Sequence, residues 1–331
     1  MGGFVDAIGR TPLLRLRKIS ERTGCEVLGK AEFLNPGGSI KDRAARQMVL
    51  DAEVRGELRP GGVIVEGTGG NTGIGLALVA RARGYRCVIV IPENQSQEKK
   101  DLLMLCGAEL HLAPPVPYRE PGNYVRTAER LAEQLRETEP AGVLYANQWD
   151  NPSNREAHEQ GTGPEIWEQC GGRIDAFICA IGTGGTISGV GRALRTRNPA
   201  LVTALADPGG SAMGNYFERG ELRAEGSSLM EGIGQGRLVG NVESAQVDRV
   251  YRVSDEQALR VLFELLWEEG LCLGGSSGIN VAGAERLAHD LGPGHTVVTV
   301  LCDHGQRYQS KLYNPTFLRE QGLPTPSWLS Q

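Results

Sequence analysis

The sequence lacks a paired-cysteine pattern. Its seven cysteines (Cys25, Cys87, Cys106, Cys170, Cys179, Cys272 and Cys302) are scattered, odd in number and never spaced Cys-x-x-Cys. That excludes a disulfide framework and points to a reduced, cytoplasmic compartment, with most thiols serving as small core hydrophobes. The five histidines show no metal-ligand spacing, so no metal site is expected. No basic tract interrupts the mixed charges, and the net charge of −5 argues against a nucleic-acid partner. Apolar runs such as Arg86 to Ile91 end within a few residues, far short of a membrane span. Met1 to Ser20 carry no charged-then-apolar leader, so secretion is not expected. No internal repeat or low-complexity segment occurs.

What is present is ordinary in bulk and unusual in pattern. Hydrophobic residues make up 40% and charged residues 23% of 331 positions, enough for two domains with their own cores. The 46 glycines gather in clusters between short apolar runs and helical stretches. Val63 to Glu66, Cys87 to Ile91, Ala108 to Leu112, Ile174 to Ala180, Leu201 to Ala206 and Thr296 to Cys302 have the pattern of buried strands. Helical patterns fall between them, at Ile74 to Arg83, Gln97 to Cys106, Asn123 to Glu137, Gly161 to Gln169, Ile187 to Arg197 and Glu256 to Glu269. This alternation predicts an α/β chain of parallel βαβ units. Residues 208–248 are glycine-rich and are expected to form loops.

The chain is organised around Asn35-Pro36-Gly37-Gly38-Ser39-Ile40-Lys41-Asp42-Arg43. Asn-Pro and Gly-Gly are turn chemistry, and Ser39 is suited to cap a helix running from Lys41 to Val54. Lys41 then falls in a helix's first turn, where the macrodipole disfavours a cation. That placement suits an amine that must react with a carbonyl. Taken alone, the stretch favours a solvated lysine beside Asp42 and Arg43, and the rest of the chain reverses that preference.

Three glycine turns carry further chemistry. Gly182-Thr183-Gly184-Gly185-Thr186 follows an apolar strand and opens a helix, forming an anion cup of backbone N–H groups and hydroxyls. Its spacing is neither a P-loop nor the dinucleotide fingerprint, because position 187 is Ile. Asp207 nevertheless lies at a distance suited to a ribose, which keeps an oxidoreductase open on this segment alone. Thr68 to Gly73 makes a second such turn, with Thr68, Asn71 and Thr72 as its polar side chains and a substrate carboxylate as its natural ligand. Gly274-x-Ser276-x-Gly278 matches a hydrolase nucleophile elbow in form, but of the downstream histidines His289, His295 and His304 the best acid–base pair, Asp303 and His304, is adjacent in sequence and would diverge on a strand.

The Lys41 stretch, the Thr-Gly-Gly-Asn-Thr-Gly turn, Gly-Thr-Gly-Gly-Thr and Gly-Gly-Ser-Ser-Gly occur in an order that resembles the cysteine synthase and cystathionine β-synthase family. The resemblance runs from Gly9-Arg10-Thr11-Pro12-Leu13 to about Tyr308. It implies the two-domain, pyridoxal-phosphate (PLP) fold type II, tryptophan-synthase β-like, with the cofactor between the domains. It implies a smaller mobile domain at 42–150 with the carboxylate turn, a larger domain of 1–41 plus 151–315 with the phosphate cup, and a surface tail at 316–331. Lys41 would anchor the cofactor and act as general base at the substrate Cα. Gly182, Thr183, Gly184, Gly185 and Thr186 would hold the phosphate, Asn71 the ring hydroxyl, and Ser276 the pyridine nitrogen. Thr68, Gly69, Asn71, Thr72 and Gln148 would grip the substrate carboxylate.

A neutral hydroxyl at the ring nitrogen makes the ring a weaker electron sink and favours loss of a β leaving group. The implied reaction is β-replacement through an aminoacrylate, giving L-cysteine from O-acetyl-L-serine and sulfide in a cytoplasmic homodimer. Cystathionine formation and cysteine desulfhydration at the same site are the rivals within the family. A catalytically idle binding protein is the rival outside it. The chain departs from the family at Gly69, where bacterial cysteine synthases have Ser, and at Trp149, where a smaller aromatic is usual. Asp207-Pro208-Gly209-Gly210 resembles the fungal cysteine synthase-like subgroup.

Overall fold

The computed structural model describes residues 2–329. Met1, expected in the larger domain, and Ser330 and Gln331, expected in the surface tail, lie outside the described residues. In chain order the strands are Leu13–Arg15 (β1), Glu26–Ala31 (β2), Val63–Gly67 (β3), Arg86–Pro92 (β4), Glu109–Ala113 (β5), Val143–Tyr145 (β6), Ala176–Cys179 (β7), Val202–Pro208 (β8), Arg249–Val253 (β9) and Thr296–Leu301 (β10). No helix among the described residues is long and apolar enough to cross a membrane. The chain divides into two compact units. One combines residues up to Gly9 with Asn35–Ala157, and the other combines Arg10–Leu34 with the chain from His158 onward.

The first unit holds a parallel sheet in the order β5-β4-β3-β6. Because side chains alternate along a strand, Val63, Val65, Val88 and Val90 face one side, onto Ala128 and Ala132 of the helix Tyr124–Arg136. Ile64, Ile89 and Ile91 face the other, among Met48, Leu76 and Val79. Both faces are covered, which is why these strands read as continuous apolar runs. On the second face the helices Lys41–Val54 and Asn71–Arg83 approach closely at Gly75. A side-chain carbon at Gly75 would stand 3.2 Å from both the Ala45 Cβ and the Lys41 carbonyl oxygen. The division falls at 34/35 rather than 41/42, so Lys41 belongs to this unit together with its whole preceding turn.

The second unit holds a six-stranded sheet in the order β1-β2-β10-β7-β8-β9. All of its pairings are parallel except that of β1 with β2. The parallel-only expectation fails there because Leu16–Cys25, holding only the short helix Arg17–Thr23, suits an antiparallel return better than a crossover. Two further segments differ from the sequence reading. Residues 208–248 contain the short helices Met213–Arg219 and Gly240–Glu243. The segment after 315 is not a plain surface tail, since it forms the helix Pro315–Glu320, buries Leu318 completely and stacks Trp328 on Trp267.

Gly75 is the contact through which the Lys41 helix is seated, so Gly75→Leu should destabilise the protein by about 1–3 kcal/mol through overpacking. Urea unfolding of the variant checks this; a loss below about 0.5 kcal/mol would show that the helices separate freely.

Candidate active site

The turn before Lys41 is built from its own polar atoms. Gly38 donates its N–H to the Asn35 carbonyl at 2.7 Å, and the Asn35 side-chain oxygen accepts the Gly9 N–H at 2.9 Å. The buried Asp42 carboxylate reaches back to accept the Gly37 N–H at 2.6 Å. Ser39 does accept the Lys41 N–H, at 3.2 Å, but Ile40 occupies the N-cap place with helical backbone angles. Lys41 therefore opens the helix as a half-buried side chain between the buried Ile40 and Asp42.

The Thr68–Gly73 turn stands at the carboxyl end of β3. Thr68 extends the β3–β4 ladder by donating to the Val90 carbonyl at 3.0 Å, and its hydroxyl accepts the Gly70 N–H at 3.2 Å. Gly70 is the N-cap of the Asn71–Arg83 helix, so no side chain caps that end. Asn71 and Gly69 are half-buried, while Thr68 and Thr72 are buried. The Thr72 hydroxyl donates to the Gln148 side-chain oxygen at 2.5 Å. Thr68, Gly69, Asn71, Thr72, Gln148 and Lys41 thus all belong to one unit.

The sequence reading assigned no role to Glu66, the residue beneath this turn. It is 1% exposed, and its Oε2 has no hydrogen-bond partner. The backbone N–H groups of Asn147 and Gln148, and the Gln148 side chain, donate to its carboxyl. The Gln148 amide is therefore held at both ends, with its NH2 on Glu66 and its oxygen on Thr72. The same contacts support Asn147 at φ 43°, a left-handed backbone uncommon outside glycine. Burial pushes the Glu66 carboxyl up to about 8, against the opposing pull of those hydrogen bonds. The only signal in the sequence was a lone acid ending the apolar strand Val63-Ile64-Val65.

In the second unit, Gly182–Thr186 follows β7 and opens the helix Gly185–Arg195. Gly184 caps that helix at φ 87°, where a side chain would also strike Val242. Thr183, Gly184 and Gly185 are buried, and Gly182 and Thr186 are half-buried. The donor set is backbone N–H groups and two threonine hydroxyls with no carboxylate, which fits a phosphate dianion. Behind it lies His158, buried in the π-helical turn His158–Thr162. Its Nδ1 is 2.8 Å from the Thr162 hydroxyl and its Nε2 is 3.4 Å from the Thr186 hydroxyl.

Ser276, half-buried, is the second residue of the helix Gly275–Leu291. One turn on, Asn280 accepts the Ala180 N–H at 2.7 Å and donates to the Val300 carbonyl at 2.8 Å. It pins the Ser276 helix to the strand end that leads into Gly182. Neither rival chemistry finds its residues assembled. The Asp207 Oδ2 accepts the Gly214 N–H at 3.0 Å and pairs with Arg252 at 3.3 Å, and the residue is buried at 2% exposure, within the fold rather than open to a ribose. Asp303 accepts the Tyr308 hydroxyl at 2.6 Å, whereas His304 packs edge-on against Phe33, so the two form no acid–base pair.

A family model described as pyridoxal-phosphate dependent enzyme matches residues 5–303. The chain belongs to this family. It is a PLP-dependent enzyme of fold type II. It is 51% identical to cysteine synthase 1 of Neurospora crassa, over 97% of this chain and 85% of that one. Cystathionine beta-synthase of Dictyostelium discoideum is 37% identical over 99% of this chain and 65% of its own length. The crystal structure of O-ureido-L-serine synthase superposes with a TM-score of 0.85 at 34% identity, over 100% of this chain and 99% of that one.

Glu66 carries a pH signature. A carboxyl that titrates at 4.5 unfolded and at about 8 folded keeps its proton only in the folded chain across that window. Stability then falls as pH rises through it, by about 1.4 kcal/mol per pH unit at the steepest. Glu66→Gln cannot titrate, so its unfolding temperature relative to the wild type should climb steadily from pH 5 to pH 8. Parallel profiles for the two proteins would contradict this account.

Proposed function

We propose that this enzyme forms L-cysteine from O-acetyl-L-serine and sulfide by β-replacement. The observation that carries the reading is the helix crossing at Gly75, where the helix opened by Lys41 packs against the helix opened by the Thr68–Gly73 turn. A lysine and a carboxylate-binding turn are thereby fixed to one another, which suits work at the Cα of an amino acid. The similarity to cysteine synthase 1 of Neurospora crassa supports the same reading.

In this account Lys41 is the catalytic residue, anchoring the cofactor and moving the Cα proton. Asn71 bonds the ring hydroxyl, Gly182, Thr183, Gly184, Gly185 and Thr186 hold the phosphate, and Ser276 meets the pyridine nitrogen. When bound, PLP supplies the electron sink for the substrate Cα. Thr68, Gly69, Asn71, Thr72 and Gln148 hold the substrate carboxylate, and Glu66 keeps the Gln148 amide oriented. Ser276 offers a neutral hydroxyl rather than a carboxylate, which favours loss of a β substituent. The reading extends to a cytoplasmic homodimer, supported in its compartment by cysteines that are all free thiols.

A second reading, cystathionine formation, is favoured by the similarity to the cystathionine beta-synthases. The visible absorption spectrum separates these. The purified protein should carry a cofactor band that Lys41→Ala abolishes, that O-acetyl-L-serine displaces and that sulfide restores. Homocysteine restoring it faster than sulfide would favour the second reading. Absence of any band after adding pyridoxal phosphate would overturn both.

A further inference from the structure

Position 69 is the one site in the Thr68–Gly73 turn where this chain has lost the side chain of the bacterial cysteine synthases it resembles. The backbone does not demand glycine there, because Gly69 lies outside the left-handed region that Gly184 occupies. The space beside it is taken instead. A side-chain carbon at Gly69 would stand 3.3 Å from the Cγ and Cδ of Gln95 and 3.4 Å from its Nε2. Gln95 comes from the loop after β4 and belongs to the same unit as the turn. Within the stretch Glu93 to Gln97 it alone is half-buried; its four neighbours are exposed. Its N–H donates to the Pro92 carbonyl at 3.1 Å, which fixes the loop.

The orientation of the Gln95 amide is also set. Its oxygen accepts the Lys99 ammonium at 3.2 Å, which leaves the NH2 as the end near Gly69. A cation on the carbonyl polarises the amide and makes that NH2 a stronger donor to an anion. The turn next to it is the one built to receive a carboxylate.

We propose that Gln95 is a substrate-binding residue that replaces the side chain missing at position 69, donating its NH2 to the substrate carboxylate across Gly69. The proposal rests on the β-replacement reading above and deepens it by assigning a specificity determinant. Gly69 and Gln95 then form an exclusive pair. A serine at 69 crowds Gln95, and a shortened residue at 95 makes room for the serine.

A four-protein cycle tests this, comparing the wild type, Gln95→Ala, Gly69→Ser and the double variant. Gln95→Ala should raise KM for O-acetyl-L-serine about tenfold, the weight of one hydrogen bond to a charged group, with kcat within about threefold. Gly69→Ser should raise KM as well. The double variant should return KM to within about threefold of the wild type, because the serine hydroxyl takes over the carboxylate. Equal cofactor absorbance in all four proteins checks that the fold is intact. Additive losses in the double variant, or an unchanged KM in Gln95→Ala, would overturn the proposal. A wild type that fails to turn over O-acetyl-L-serine speaks against the cysteine-synthase reading alone. Calorimetric binding of L-serine to the same four proteins judges Gln95 separately, with the same rank order of affinities expected. L-serine that binds all four equally, or does not bind the wild type, would overturn the assignment.

Discussion

The first N–H groups of a helix have no acceptor within the helix, and that constraint governs this structure. Three helices outside the candidate site meet it with side chains, Asn123, Ser254 and Asn314 each accepting at their own helix N-terminus. Those that begin after Leu16, Ser96, Thr162, Ala212 and Val239 have no side-chain cap. The three helices that carry Asn71, Thr186 and Ser276 begin at Gly70, Gly184 and Gly274 and receive no side-chain cap. Two of these, behind β3 and β7, start just after the carboxyl end of a strand, where open α/β sheets bind their ligands. A substrate carboxylate and a cofactor phosphate are the acceptors that such ends favour.

The first unit adds a second constraint, close packing without side chains. Gly75 lets one helix backbone approach another, and this couples the residue that opens one helix, Lys41, to the turn that opens the other. Beneath that turn Glu66 is retained in a strand that is otherwise apolar, and its contacts reach the loop holding Gln148. A buried acid is unfavourable in such a place, and the oriented Gln148 amide is what its presence secures.

Much of this was legible in the sequence, because a short apolar strand, a glycine turn and a helix start each leave a local mark. The turns at Gly37, Gly69 and Gly184 are all marked in the sequence by their glycine clusters. What escaped depended on partners distant in sequence. Glu66 acts through residues 147 and 148, His158 through a π-helical turn with no pattern of its own, and Gln95 through the absence of a side chain at 69. The strand after Pro12 was legible, but its antiparallel pairing with β2 was not, and the edge strand β9 was too mixed in charge to stand out. Ser39 was expected as the cap and instead assists from one position earlier, because Ile40 already adopts helical angles.

The account stands on Lys41 as the cofactor's anchor. Reducing the cofactor-bound protein with borohydride, digesting it and sequencing the peptides by mass spectrometry tests that most directly. The phosphopyridoxyl group should be found on the peptide containing Lys41 and on no other. Its attachment at Lys30, Lys99 or any other lysine would contradict the account.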